Sequence, residues 1–153
     1  MIKLGKLTDY AIAVMGQLAQ EGESASCSAH YLSHKIAVPE PTVAKVLKLL
    51  SRGELVISTR GAAGGYRLAK PVTQISIAEI ITAMEGPIAI VTCVDGHEKE
   101  CPSQAKCPVK SNWDRVNNAI RGTLEGIMLA EMVSRPRGTV HISFTKDSHV
   151  HRA

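Results

Sequence analysis

Aromatic side chains are nearly missing from this chain of 153 residues, which has one Trp, one Phe and three Tyr. A core must then be filled by Leu, Ile, Val, Ala and Met, and the 44% hydrophobic content supplies them. No apolar run approaches the ~20 residues of a membrane span. The opening "MIKLGKLTDY" has no signal-peptide stretch. These absences lead us to expect a cytoplasmic protein with no membrane partner. No Cys-x-x-Cys pair occurs, which argues against a thioredoxin-like dithiol and against the common zinc ribbons. The glycines at Gly61, Gly64 and Gly65 lack the Lys-Ser/Thr ending of a P-loop. No nucleophile and base stand together, and the histidines are scattered. We expect no enzyme and no small-molecule substrate.

Charge is present but unevenly placed. Residues 1–71 hold nine Lys/Arg against five Asp/Glu, a surplus of four, whereas residues 72–153 hold nine of each. The whole net charge of +4 therefore lies in the first half, which suits an anionic partner such as nucleic acid.

The first half reads as alternating short elements. In residues 6–20, Leu7, Ala11, Val14, Met15 and Leu18 recur at helical spacing. Thr8 suits the cap and Gly22 the stop. Residues 28–37 predict a second short helix with Tyr31, Leu32 and Ile36 inward, broken by Val38-Pro39. In "EPTVAKVLKLLSRGEL", Pro41 suits the first helical position and Gly53 the stop. Val43, Val46, Leu47 and Leu50 form one face, and Thr42, Lys45, Lys48 and Arg52 lie on the other. Leu55 to Thr59 reads as a strand, "RGAAGG" as a turn and "YRLA" as the returning strand. Two short helices followed by a hairpin make a helix-turn-helix with a wing. On that reading Thr42 and Lys45 reach base edges, Lys48 and Arg52 meet phosphates, and Arg60 beside Gly61 enters a minor groove.

Residues 74–86 predict a further helix, with Ser76 as cap and Gly86-Pro87 as stop. Residues 111–133 predict one long helix with Trp113, Val116, Ile120 and Leu124 on a single stripe. A helix placed after a complete small domain suits a dimer interface better than packing back on the first helix. The fold class is thus mainly α: a winged helix-turn-helix domain with a long C-terminal dimerisation helix. Its parts are a DNA-binding domain at 1–86, a cysteine-bearing loop at 87–110, the dimerisation helix at 111–133 and a mobile polar tail at 134–153.

Three of the four cysteines, Cys93, Cys101 and Cys107, fall in that polar loop at spacing C-x7-C-x5-C. The loop has no core of its own in which to hide thiols. Thiolates so close repel one another unless a cation holds them, and soft sulfur ligands select zinc or iron–sulfur clusters. Three is one short of a full set. His97 would complete a Cys3His zinc site, and a metal-free redox switch is the further alternative. Cys27 lies outside the loop and reads as a small buried apolar residue.

The motifs "KLTDYA", "PTVAKVLKLL", "RGAAGGYRLAKP", "ISIAEIITAMEGP" and "C…C…CPVKSNWDRVN", in this order, resemble the IscR/NsrR family of winged-helix iron–sulfur regulators. The match looks nearest to its SUF-system assembly-regulator branch and covers residues 1–133. The resemblance implies a homodimer that binds promoter DNA and carries one cluster, [2Fe-2S] or [4Fe-4S], per subunit. It implies a repressor sensing cluster supply, oxidants or nitric oxide. Cys93, Cys101 and Cys107 match the three cluster cysteines, and Arg60 and Gly61 match wing positions near the minor groove. Where IscR-like members place a histidine as fourth ligand, this chain has Lys110. Where NsrR-like members use an acidic residue of the partner subunit's first helix, this chain has Asp9. Asp9 and His97 thus both stand as fourth-ligand candidates. Functions from other classes are a winged-helix regulator with structural zinc or a thiol switch, and an iron–sulfur carrier or scaffold.

Overall fold

The computed structural model describes residues 3–22, 24–61, 64–91, 94 and 106–134. Helix α1 spans Lys6–Glu21 and buries Ala11, Val14, Met15 and Leu18, the stripe its spacing predicts. Thr8 is not its cap. Gly5 holds that position without a side-chain bond, and Thr8 lies buried inside the first turn. Gly22 ends the helix at φ 101°.

Helix α2 spans Ala29–Ile36 and is capped by Ser28, whose hydroxyl oxygen accepts from Tyr31 N at 3.1 Å. Leu32 is fully buried, but Tyr31 faces outward, against expectation. Its hydroxyl donates to Glu21 Oε1 at 2.8 Å, and the Lys35 ammonium lies 5.3 Å from its ring centroid. A helix of two turns offers the core one narrow stripe. Ser33 takes the inward place beside Leu32, its hydroxyl donating to His30 O at 2.8 Å. Ala37, left-handed at φ 53°, closes the turn to the next helix.

Helix α3 spans Glu40–Arg52. Pro39 is its cap, so Pro41 occupies the second helical position rather than the first; both sites lack an intrahelical N–H acceptor, so either is tolerated. Val43, Val46, Leu47 and Leu50 are all fully buried. Each such aliphatic side chain contributes about 1.5–3 kcal/mol, which orients the helix and leaves its other face to solvent.

Strand β1 (Val56–Thr59) pairs antiparallel with β2 (Gly65–Leu68), from Val56 opposite Leu68 to Thr59 opposite Gly65. The first strand starts one residue later than expected because Leu55 packs in the core, its N–H bonded to Leu50 O at 3.0 Å. The second starts and ends one residue earlier than expected. At the hairpin's turn Gly61 has φ 111°, a conformation side chains resist. Cys27 forms a two-bond bridge with Tyr66, N–H to carbonyl at 2.9 and 2.8 Å, which fastens the wing to the body. Cys27 is buried, and burial first, then the Glu21 charge, pushes its thiol up. It is a packing residue, as its place in the sequence suggests.

A 3-10 turn at Val72–Gln74 leads to α4, Ile77–Glu85, which opens with a reciprocal Ser76/Glu79 capping box. The long helix expected over residues 111–133 is not continuous. Helix α5 spans Lys110–Glu125, and α6 spans Leu129–Val133. Between them the backbone straightens, and Ile77 N–H donates to Ile127 O at 2.9 Å while Leu129 N–H donates to Ile75 O at 2.8 Å. Leu129 is fully buried, and α6 packs on α1 and the 3-10 turn. Burying a leucine and gaining two main-chain bonds outweighs continuing an exposed helix past Gly126. The expectation that this segment serves a dimer interface rather than packing on its own chain is therefore corrected for α6, which packs on α1, and in part for α5, which packs on α4. The fold is mainly helical, a winged helix-turn-helix with its core between α1, α3 and α4. No described helix is long and apolar enough to cross a membrane.

Candidate nucleic-acid interface

The core side of α3 is wholly apolar, so its opposite side is free for contact. Lys45, Lys48 and Arg52 are exposed there, and Thr42 is half-buried. The hairpin places Arg60 and Gly61 at its exposed tip. At the start of α3, Glu40 Oε2 meets His30 Nδ1 of α2 at 2.9 Å. The acid suits the positive end of α3, and the pair ties the two helices at their N-terminal ends. Neither residue was singled out by sequence reasoning, since a ten-residue separation across a turn carries no periodic signal.

The cysteine segment is less fully placed. Cys93, His97 and Cys101 lie outside the described residues. Cys107 is half-exposed, a free thiol three residues before α5 begins. Asp9 is exposed in the first turn of α1. Among the described residues no three His, Cys, Asp or Glu side chains gather into a metal-holding group.

The expected dimer stripe divides in two. Trp113 and Val116 are 37% and 42% exposed, large apolar groups facing out of the chain. Ile120 is half-buried, and Leu124 packs on the chain's own core.

A cleft of about 730 Å³ opens between the end of α3, α4 and α5, walled by Arg52, Glu79, Thr82, Asp114, Asn117 and Arg121. Asn117 is its most informative wall. The side chain is buried, its Nδ2 donates to Ile88 O at 3.0 Å, and its Oδ1 accepts from Ile90 N at 3.2 Å. Sequence reasoning missed it because an asparagine beside a second asparagine reads as helix surface.

A fully packed α3 with a cationic outer face, followed by a wing, is a DNA-reading geometry, and the comparisons give it a family. The family model for Rrf2, described as an iron-dependent transcriptional regulator, matches residues 4–135. This chain belongs to the Rrf2 family. The HTH-type transcriptional regulator IscR of Cronobacter sakazakii is 26% identical over 143 residues, 94% of this chain and 86% of that protein. The HTH-type transcriptional regulator NsrR of Oceanobacillus iheyensis is 26% identical over 132 residues, 86% of this chain and 90% of its own. The solved structure of CymR, the global cysteine regulator of B. subtilis, superposes with a TM-score of 0.66 at 26% identity. It covers 87% of this chain and 97% of that one. The Rrf2 chain is thus a DNA-binding transcriptional regulator and not an enzyme.

Proposed function

We propose that this Rrf2 chain is a cytoplasmic, homodimeric promoter-binding regulator, a repressor, whose grip on DNA depends on an iron–sulfur centre. Cys93, Cys101 and Cys107 hold that centre, and Asp9 of the partner subunit completes it, with His97 as the alternative. The reading rests on one observation above others: the chain joins a cationic recognition face on α3 to a surface thiol, Cys107, at the foot of α5, in a family described as iron-dependent. The donor chemistry fits, since thiolates suit iron–sulfur centres and the buried Cys27 is spoken for by packing. When bound, such a centre supplies thiolate-ligated iron that oxidants, nitric oxide or cluster shortage alter.

The chain's own part is mechanical. Thr42 and Lys45 read bases, Lys48 and Arg52 hold phosphates, and Arg60 with Gly61 reaches the minor groove. Trp113, Val116 and Ile120 pair two α5 helices, while Leu124 belongs to the intrachain core. Two recognition helices then stand at a spacing that α5 sets, and the cysteine segment abuts α5 directly. Control of genes for iron–sulfur assembly is the regulatory task that fits.

Anaerobically purified protein should be coloured, carry iron and sulfide in comparable amounts, and change its operator affinity when the centre is stripped. Colourless protein with stoichiometric zinc would favour a structural metal instead. Unchanged affinity on stripping would end the regulatory reading. Cluster transfer to acceptor proteins without salt-sensitive DNA binding would make the chain a carrier.

A further inference from the structure

The wing carries positive charge and no acid of its own. Residues 55–70 contain Arg60, Arg67 and Lys70 and no Asp or Glu. Lys70 is engaged, its ammonium donating to Glu79 Oε1 of α4 at 2.6 Å. Arg60 stands at the exposed tip. Arg67 was not singled out by sequence reasoning. Among the described residues its guanidinium has no ion-pair or hydrogen-bond partner.

The strand ladder fixes the face on which Arg67 lies. It stands opposite Ile57, whereas Val56 and Leu68, one step along each strand, are buried. Side chains alternate across a strand, so Arg67 and Ile57 share the outer face of the hairpin. Ile57 is 38% exposed there, and Arg67 is half-buried. Ile57 is thus the cross-strand neighbour of the arginine's aliphatic stem. The charged head has no partner, and a charge left unpaired stays in water. A half-covered stem with a free head is an arm already ordered, its five donors open to an anion. From Arg67 to Gly65, where β2 begins, is two residues, about 7 Å at ~3.4 Å each. Arg67 therefore sits a short step behind the tip that bears Arg60.

We infer that Arg67 is a further DNA contact of the wing, and that it grips a phosphate rather than a base. The inference rests on the reading of the wing given above. A hairpin tip in the minor groove lies between two rows of phosphates, and a cation set back from that tip meets a row, not a base edge. The guanidinium fork matches the oxygens of a phosphate. Arg60 enters the groove, and Arg67 holds the wing to its rim.

The test is the salt dependence of binding. Full-length protein, purified anaerobically, is titrated with a short duplex of mixed sequence and with a duplex that the wild-type chain has selected from a random pool. Arg67→Gln should lower the slope of log K against log salt by about 0.9 on both duplexes, so its deficit grows about eightfold for each tenfold fall in salt. Arg67→Lys should keep most of the slope, because a point charge also holds a phosphate. Lys70→Gln removes the same charge from a residue that Glu79 already occupies, and should leave the slope unchanged. An unmoved slope in Arg67→Gln, an equal loss in Lys70→Gln, or a loss confined to the selected duplex overturns the proposal. So does loss of the cooperative melt in both Arg67 variants, since the arginine would then be structural. Arg60→Gln separates the two levels of inference. If neither Arg60→Gln nor Arg67→Gln weakens binding, the wing is not at the DNA and the reading above fails as well. If Arg60→Gln weakens binding and Arg67→Gln does not, only this proposal falls.

Discussion

Thr8 in the first turn of α1 donates its hydroxyl to the carboxylate of Glu85, the last residue of α4. The same Oε1 accepts from Gly5 N at 2.7 Å. Glu85 thereby does for α1 what a cap does, satisfying an orphan amide and placing negative charge at the positive end of the helix. Thr8→Val keeps the shape and deletes the hydroxyl. It should cost about 1–2 kcal/mol of unfolding free energy, read by urea denaturation, with the first turn bearing Asp9 exchanging faster. An unaltered denaturation midpoint would show that the bond contributes nothing net.

The wing depends on a contact that admits no side chain. A Cβ at Gly65 would lie 2.8 Å from Cys27 O and 2.7 Å from Ser26 Oγ. Gly65→Ala should push the hairpin off the body and break the Cys27–Tyr66 bridge, costing about 1–3 kcal/mol. Operator affinity should fall more than stability alone explains, because Arg60 and Gly61 lose their placement while α3 keeps its own. Limited proteolysis within residues 59–66 checks the detachment. Wild-type operator affinity in this variant would remove the wing from the DNA contact.

Glu79 makes acid sensitivity legible. Burial works to raise its carboxyl, but the Lys70 ammonium, 2.6 Å away, and the Ser76 amide and hydroxyl together hold it below the ordinary carboxylate value. In the window between that depressed value and the usual pKa of roughly 4.3, the folded state binds fewer protons than the unfolded one. Stability from Glu79 is therefore present above the ordinary value and lost as pH falls through the folded one. Glu79→Gln keeps an acceptor for Ser76 without the charge. Its melting temperature should fall less steeply than wild type on the acid side, and an equal slope would assign the acid loss to other carboxylates.

How much of this was readable beforehand follows from how far each signal reaches along the chain. The α3 face was legible because Val43, Val46, Leu47 and Leu50 repeat within three turns, and all four are buried. Tyr31 misled because apolar character does not say which of two flanking positions a two-turn helix turns inward. Thr8 looked like a cap because its true partner lies 77 residues away. Asn117 was opaque until the segment it clamps had been placed. Of the cysteines, the sequence states their number and spacing, and the matching family model is described as an iron-dependent transcriptional regulator. Only Cys107 of the three falls among the described residues.

The end of the chain's last helical stretch offers a direct contest between two arrangements. Read as one helix, residues 111–133 would leave Leu129 on the side opposite Trp113, Val116, Ile120 and Leu124, at about 100° per residue. In the structure Leu129 is fully buried against its own core, and Met128 bridges Ser76. Gly126 was the available signal, a glycine inside the expected helix. Leu129→Ala should cost about 2–5 kcal/mol by leaving a cavity between α6 and α1. If the buried arrangement holds, the drop in melting temperature should be the same at every protein concentration, because the lost contact is intrachain. A drop that shrinks as concentration rises would instead place Leu129 between subunits and restore the continuous helix.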